Sequence, residues 1–252
     1  MQLGRVLLDG ESTPRRVVID KKDWYAWEGD DWLHPVKGVK VEGDGHLVAP
    51  LEPGKIVCVG LNYLDHVTER DPNRKVPDEP VLFMKPTSSI VGPGDTITIA
   101  NPENQTDYEA ELALVVGKTA RDVPREHWRE YIAGFTCAND VSDRTLQKKD
   151  GQWVRAKGFH TYCPVGPWIE TELDLDQAVV QSRLNGELRQ DQAVSSMLFP
   201  IPLLVSYISG IMTLDPGDLI LTGTPHNVGP MQPGDTIEVS VSGIGTLANP
   251  VG

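Results

Sequence analysis

The sequence predicts an α+β, β-rich fold, and three observations predict it. Short apolar runs rich in β-branched residues recur between turn residues, as in Lys55-Ile56-Val57-Cys58-Val59-Gly60 and Leu112-Ala113-Leu114-Val115-Val116. A Pro-Gly-Asp turn precedes an apolar run three times, at Pro93-Gly94-Asp95, Pro216-Gly217-Asp218 and Pro233-Gly234-Asp235. Pro followed by Gly suits a type II turn that feeds a strand, and the unequal spacing excludes a solenoid. Helical stretches are few and do not alternate with strands, which disfavours a doubly wound sheet or an α/β barrel.

The length, 252 residues, suits one large domain, or one domain and a small companion, with a sizeable core. The net charge of −13 argues against nucleic acid and anionic membranes as partners. Cys58, Cys137 and Cys163 are odd in number and form no CxxC, which points to a reducing compartment, the cytoplasm, and away from a disulfide framework or a zinc site. The first ten residues lack the apolar core of a signal peptide. No apolar run reaches the ~18 residues of a membrane span.

Residues 1–50 read as a small N-terminal β-rich unit packed with Trp24, Trp27 and Trp32, and Pro50-Leu51-Glu52-Pro53-Gly54 marks a boundary before a second unit, 51–252. The strand 55–60 leads into Leu61-Asn62-Tyr63, where Asn62 is expected to cap a short helix. His66 and Glu69 then share a helix face, either as a carboxylate-oriented general base or as a surface pair. The charged, Pro-rich stretch 69–80 reads as a mobile loop and, following that pair, as a lid. Val81 to Lys85 is another strand. Pro124 to Tyr131 reads as a helix with His127 on its surface, and Phe199 to Thr213 as a helix that packs on a sheet.

Glu109 and Glu111 stand two apart at the head of the apolar strand 112–116 and so point to one face. Two carboxylates this close repel, and burying either unpaired is costly. Either a cation sits between them or they are solvated acids at an exposed edge. Asp140, at the end of another apolar stretch, can join them. Three carboxylates without a Cys/His cluster form a hard oxygen site that suits Mg²⁺ or Mn²⁺, with Ca²⁺ an alternative and Zn²⁺ a poorer fit. Arg144 and Gln147, three apart, can grip a substrate carboxylate. Lys157, between Ala156 and Gly158, is a catalytic cation or a surface lysine. The turn Leu221-Thr222-Gly223-Thr224-Pro225 can offer backbone N–H groups and the Thr224 hydroxyl to an oxyanion.

The joint order of these stretches resembles the fumarylacetoacetate hydrolase family. The resemblance rests on Gly60-Leu61-Asn62-Tyr63 with His66 and Glu69, Tyr108-Glu109-Ala110-Glu111, Asn139-Asp140-Val141-Ser142 with Arg144 and Gln147, Arg155-Ala156-Lys157-Gly158, Cys163-Pro164-Val165-Gly166-Pro167, Leu184-Asn185-Gly186-Glu187, and Leu219 to Pro225. It implies a mixed β-sandwich roll, commonly a homodimer. It implies Mg²⁺ or Mn²⁺ on Glu109, Glu111 and Asp140, a His66–Glu69 dyad, a catalytic Lys157, and substrate contacts from Arg144, Gln147 and Thr224. Asp143 stands where relatives often carry Ala, Thr145 where Asp is frequent, His160 where Asp is common and Asn227 where Gly is usual.

The function this implies is metal-dependent C–C hydrolysis of small 2-oxo or diketo acids of the acylpyruvate type, with Glu69 holding His66 as it activates water and Lys157 stabilising the developing charge. The alternatives are isomerisation of 2-hydroxyhepta-2,4-diene-1,7-dioate, decarboxylation of oxaloacetate, and, from another class, a non-catalytic metal-binding or scaffolding protein.

Overall fold

The computed structural model describes residues 1–69, 73 and 75–252. The expected lid over 69–80 falls partly on residues 70–72 and 74, outside the described residues. The first fifty residues form β1 (Gln2–Leu8), β2 (Arg15–Asp20), β3 (Asp23–Glu28), β4 (Val36–Val41) and β5 (Gly45–Val48). Then come β6 (Ile56–Gly60), α1 (Leu64–Thr68), β7 (Val81–Lys85), β8 (Ile90–Val91), β9 (Thr106–Tyr108), β10 (Ala110–Val116), β11 (Ile132–Asn139), β12 (Ser142–Asp143), α2 (Arg144–Asp150) and α3 (Val154–Lys157). The chain ends with β13 (Cys163–Glu170), β14 (Val179–Leu184), β15 (Glu187–Ala193), α4 (Ile201–Ile211), β16 (Leu219–Leu221), β17 (Gly229–Pro230), β18 (Thr236–Val241) and β19 (Gly245–Pro250).

A 12-stranded sheet runs β4-β3-β2-β1-β13-β11-β10-β16-β6-β7, with β5 on β1 and β8 on β13. It is mixed: β16–β6 and β13–β8 are parallel, the other pairs antiparallel. A four-stranded sheet, β15-β14-β18-β19, and a three-stranded one, β12-β9-β17, complete the fold. The N-terminal strands are continuous with the large sheet, because β1 pairs with β13.

Apart from Glu111, strand β10 is apolar because both its faces are buried. Leu112 and Leu114 pack with Phe135, Val239, Leu247 and the apolar face of α4 between the two larger sheets. Ala113 and Val115 enter a second core with Cys58, Val165, Leu3 and Trp27, where the N-terminal strands close the roll. Glu109 and Glu111 share the odd-numbered parity of that second face.

The three Pro-Gly-Asp turns use one device. Gly94, Gly217 and Gly234 have φ of +79°, +88° and +99°, as the third position of a type II turn requires. The Asp side chain accepts the N–H of the residue three before it, at 2.7 Å from Gly92, Asp215 and Gln232 alike. The first turn does not lead into a regular strand; Ile97 makes a single bridge to Val251. The expected helix after Pro124 is Arg125–Tyr131, of 3₁₀ geometry, with Trp128 and Tyr131 half-buried against the main core. His127 lies on its surface, paired with Glu130. Among the described residues no helix is long and apolar enough to cross a membrane.

Asn62 does not cap α1. Tyr63 occupies that position without a side-chain cap, and the fully buried Asn62 instead bridges three segments. Its Nδ2 donates to Thr222 O at 2.7 Å and Phe199 O at 3.2 Å, and its Oδ1 accepts from Phe199 N at 2.7 Å. Each buried group left unsatisfied costs about 1–3 kcal/mol. Asn62→Ala is therefore expected to lower unfolding free energy by several such increments, measured by urea denaturation. A loss below about 1 kcal/mol would contradict the bridging role.

Candidate active site

Glu109 sits in the break between β9 and β10, and Glu111 is the second residue of β10. Asp140 follows the last residue of β11, whose Asn139 lies opposite Ala110. The backbone ties these positions together: Asp140 N donates to Glu109 O at 2.9 Å, and Glu109 N to Asn139 Oδ1 at 2.9 Å. The three carboxylates are buried and each offers an oxygen within 4.8 Å of the others.

Three buried cations surround them. Lys85, at the end of β7, places Nζ 2.5 Å from Asp140 Oδ1. Lys157 binds Glu109 Oε2 at 2.7 Å and also the other Asp140 oxygen. Arg144, the first residue of α2, reaches Glu109 Oε1 at 2.5 Å and Asp107 Oδ2 at 2.7 Å, and donates to Gln147 Oε1 at 2.9 Å. Among the described residues, four buried carboxylates thus meet three buried cations, leaving one carboxylate in excess.

Glu111 carries that excess. Among the described residues it has no ion pair, and its carboxylate accepts the Gly223 N–H at 2.7 Å. Burial, then the neighbouring Asp140 and Glu109, push its carboxyl well above the usual carboxylate range. Glu109 goes the other way: burial raises it, but Arg144 and Lys157 outweigh burial and hold it well below that range. A divalent cation among the three carboxylates would neutralise Glu111 and leave the cluster positive, as an anionic ligand needs. The residues present fit such an ion: all donors are hard oxygens, and the uncompensated one faces the others.

Eight of the nine residues singled out in the sequence line one cavity of about 260 Å³: His66, Glu109, Glu111, Asp140, Arg144, Gln147, Lys157 and Thr224. Lys148 joins them, and Phe83 and Trp153, packed edge-on with ring centres 5.2 Å apart, form an apolar wall. Glu69 stands behind His66, with its Oε2 3.2 Å from His66 Nδ1. It faces a neighbouring open cleft instead.

Several groups also make contacts within the protein that the sequence does not show. The Gly223 N–H is held by Glu111, and the Thr224 hydroxyl donates to Ala110 O at 2.9 Å while accepting from Gln190 Nε2 at 2.8 Å. The turn 221–225 is thus scaffolding for Glu111 and β10. Arg144 is spent on carboxylates of the protein. Asp143, one of the departures from the family pattern, caps α2 by accepting the Leu146 N–H at 2.9 Å. Lys85, Asp107 and Gln190 escaped the sequence reading. Lys85 did leave a signal: a lysine closing an apolar strand directly before Pro86.

Residues 55–252 match the family model of the fumarylacetoacetate (FAA) hydrolase C-terminal domain. The oxaloacetate tautomerase fahd2, mitochondrial, of Xenopus laevis is 40% identical over 218 residues, which cover 81% of this chain and 68% of that protein. The crystal structure of 5-carboxymethyl-2-hydroxymuconate delta-isomerase from Mycobacterium smegmatis superposes with a TM-score of 0.91 at 40% identity, covering 100% of this chain and 99% of that one. Maleylpyruvate hydrolase from Sphingobium sp. SYK-6 superposes with a TM-score of 0.79 at 28% identity, covering 100% and 99%.

Removing Asp140 would strand Lys85 as a buried charge, at a cost of about 3–5 kcal/mol, and leave Lys157 paired with Glu109. Glu111→Gln is the cleaner probe, since Gln keeps an acceptor for Gly223 N–H. In chelated wild-type protein the folded state holds the Glu111 proton above pH 4.5, where the unfolded chain releases it. Stability therefore falls as pH rises from there toward the raised value. Glu111→Gln is expected to remove this fall in chelated protein and to abolish Mn²⁺ binding by titration calorimetry. Wild-type Mn²⁺ affinity in the variant would contradict the site.

Proposed function

The chain belongs to the fumarylacetoacetate hydrolase family, and from that premise we propose that it is a metal-dependent enzyme moving a proton at the carbon beside the oxo group of small 2-oxo or 2-hydroxy-enoic acids, a keto–enol or double-bond isomerisation. The observation that carries this reading is where the hydrogen-bond donors go. C–C hydrolysis passes through a tetrahedral oxyanion at the distal carbonyl, which needs its own donors. Gly223 N–H and the Thr224 hydroxyl are already engaged by Glu111 and Ala110 O, and Lys157 gives two of its three N–H donors to Glu109 and Asp140, which leaves one donor for the cavity. Proton transfer needs only a base and polarisation of the oxo group.

Mg²⁺ or Mn²⁺ on Glu109, Glu111 and Asp140 would supply that polarisation as a Lewis acid. His66 is the base, at the cavity wall with Glu69 on Nδ1, so its other nitrogen takes the carbon-bound proton and returns it. Arg144 occupies the amide oxygen of Gln147, which leaves the Gln147 NH₂ group to hold the substrate carboxylate, with Lys148 beside it. Phe83 and Trp153 exclude water from the carbon undergoing transfer. The tautomerase and isomerase relatives support the same class of chemistry. A second reading, C–C hydrolysis, draws on the same dyad, which can activate water as well, and on the likeness to maleylpyruvate hydrolase.

The test compares enol-to-keto conversion of oxaloacetate, isomerisation of 5-carboxymethyl-2-hydroxymuconate and cleavage of an acylpyruvate, all followed by ultraviolet absorbance with Mg²⁺ present. One of the two isomerisations is expected to exceed cleavage in kcat/KM. His66→Ala is expected to lower its kcat about 10²–10⁴-fold, and Glu69→Gln by less, with Mn²⁺ still bound. Faster cleavage than isomerisation would favour the hydrolase reading, and full activity in His66→Ala would remove the base.

A further inference from the structure

We infer that Asn227 and Tyr108 are positioning residues that latch Glu69, and through it His66, to the strand carrying the metal-binding carboxylates; this rests on His66 being the base. Glu69 is the last described residue before position 70, directly after α1. Its two oxygens are held from opposite sides. Oε2 meets His66 Nδ1 at 3.2 Å, and Oε1 accepts the Asn227 backbone N–H at 2.7 Å, across 158 positions of sequence. A carboxylate fixed at both oxygens cannot rotate, so the imidazole it holds keeps one orientation.

The backbone of Asn227 explains how its N–H reaches Glu69. Its φ is +66°, in the left-handed region that Asn enters more readily than other side chains and that costs most residues about a factor of ten or more. Its carbonyl is also held: Tyr108 O–H donates to Asn227 O at 3.0 Å. Tyr108 is buried, immediately precedes Glu109, and lies opposite Gly229 in the β9–β17 pairing. A Cβ on Gly229 would come within 3.1 Å of the Tyr108 hydroxyl, so glycine there keeps room for it. Residue 227 therefore joins the base on one side to the strand leading into Glu109 on the other. The Asn that stands where glycine is usual in the family keeps the required backbone shape.

The test uses oxaloacetate as assay substrate with Mg²⁺, and chelated protein for exchange. Asn227→Val is expected to lose kcat about tenfold, the factor set by the left-handed penalty, with KM and Mn²⁺ affinity little changed. Asn227→Gly is expected to recover that loss. Tyr108→Phe is expected to lose kcat severalfold. In a Glu69→Ala background neither Asn227→Val nor Tyr108→Phe should cause a further loss, whereas a merely structural role would add to it. Independently of turnover, Glu69→Ala should speed hydrogen exchange of the Asn227 amide at least several-fold. Additive losses, or unchanged exchange at Asn227, would overturn the latch. Full turnover by His66→Ala would overturn the base reading and the positioning role with it, and so separates the two failures.

Discussion

Among the described residues four carboxylates and three cations are buried together at the end of the large sheet, and the rest of the site follows from the one carboxylate, Glu111, that has no cation partner there. Asp107, Glu109 and Asp140 each have a cation at hydrogen-bond distance, while Glu111 has a backbone N–H. A buried, unpaired carboxylate is costly. The chain keeps Glu111 where it is by building it into β10, whose apolar residues fill cores on both faces. Among the described residues Glu111 has no cation partner, so without a metal it is held protonated, and a divalent ion is the group whose charge and ligand preference fit that gap.

The same cluster decides what remains for chemistry. Arg144, Lys85 and Lys157 are placed among catalytic-looking residues, yet each is engaged by carboxylates of the protein. These contacts fix the position of the carboxylate oxygens that could hold a metal. What is left facing the cavity is a small set: His66, the amide of Gln147, Lys148 and the apolar wall of Phe83 and Trp153. That set suits a proton moved between carbon positions of a small anion more than it suits a second oxyanion. On the proposed reading turnover depends on the orientation of His66, whose partner Glu69 accepts a hydrogen bond from Asn227, 158 positions along the chain.

Much of this was legible in the sequence where the information is local. The Pro-Gly-Asp turns declare themselves in three residues each. The i,i+2 spacing of Glu109 and Glu111 at the head of an apolar strand marks them as neighbours on one face, and His66 and Glu69 are three apart on one helical turn. What was not legible depends on register between distant strands. Nothing near Arg144 in sequence shows that Asp107 and Glu109 will take its guanidinium. Asn62 has the residue type and position of a helix cap, but burial among Thr222 and Phe199 outcompetes that role. The helix expected over 124–131 is present, but the sequence pattern does not tell 3₁₀ from α geometry in so short a segment. Thr224 reads as an oxyanion donor until the register of β10 brings Ala110 O to its hydroxyl.

The most direct test of the account is anomalous diffraction from a crystal soaked in Mn²⁺. One manganese peak is expected per chain, with oxygens of Glu109, Glu111 and Asp140 all at about 2.0–2.3 Å. Lys85 and Arg144 should stay on their carboxylates, and Glu111 should be drawn onto the ion. Manganese absent from this cluster, or bound without Glu111, would contradict the claim that the excess buried carboxylate is there to seat a divalent ion.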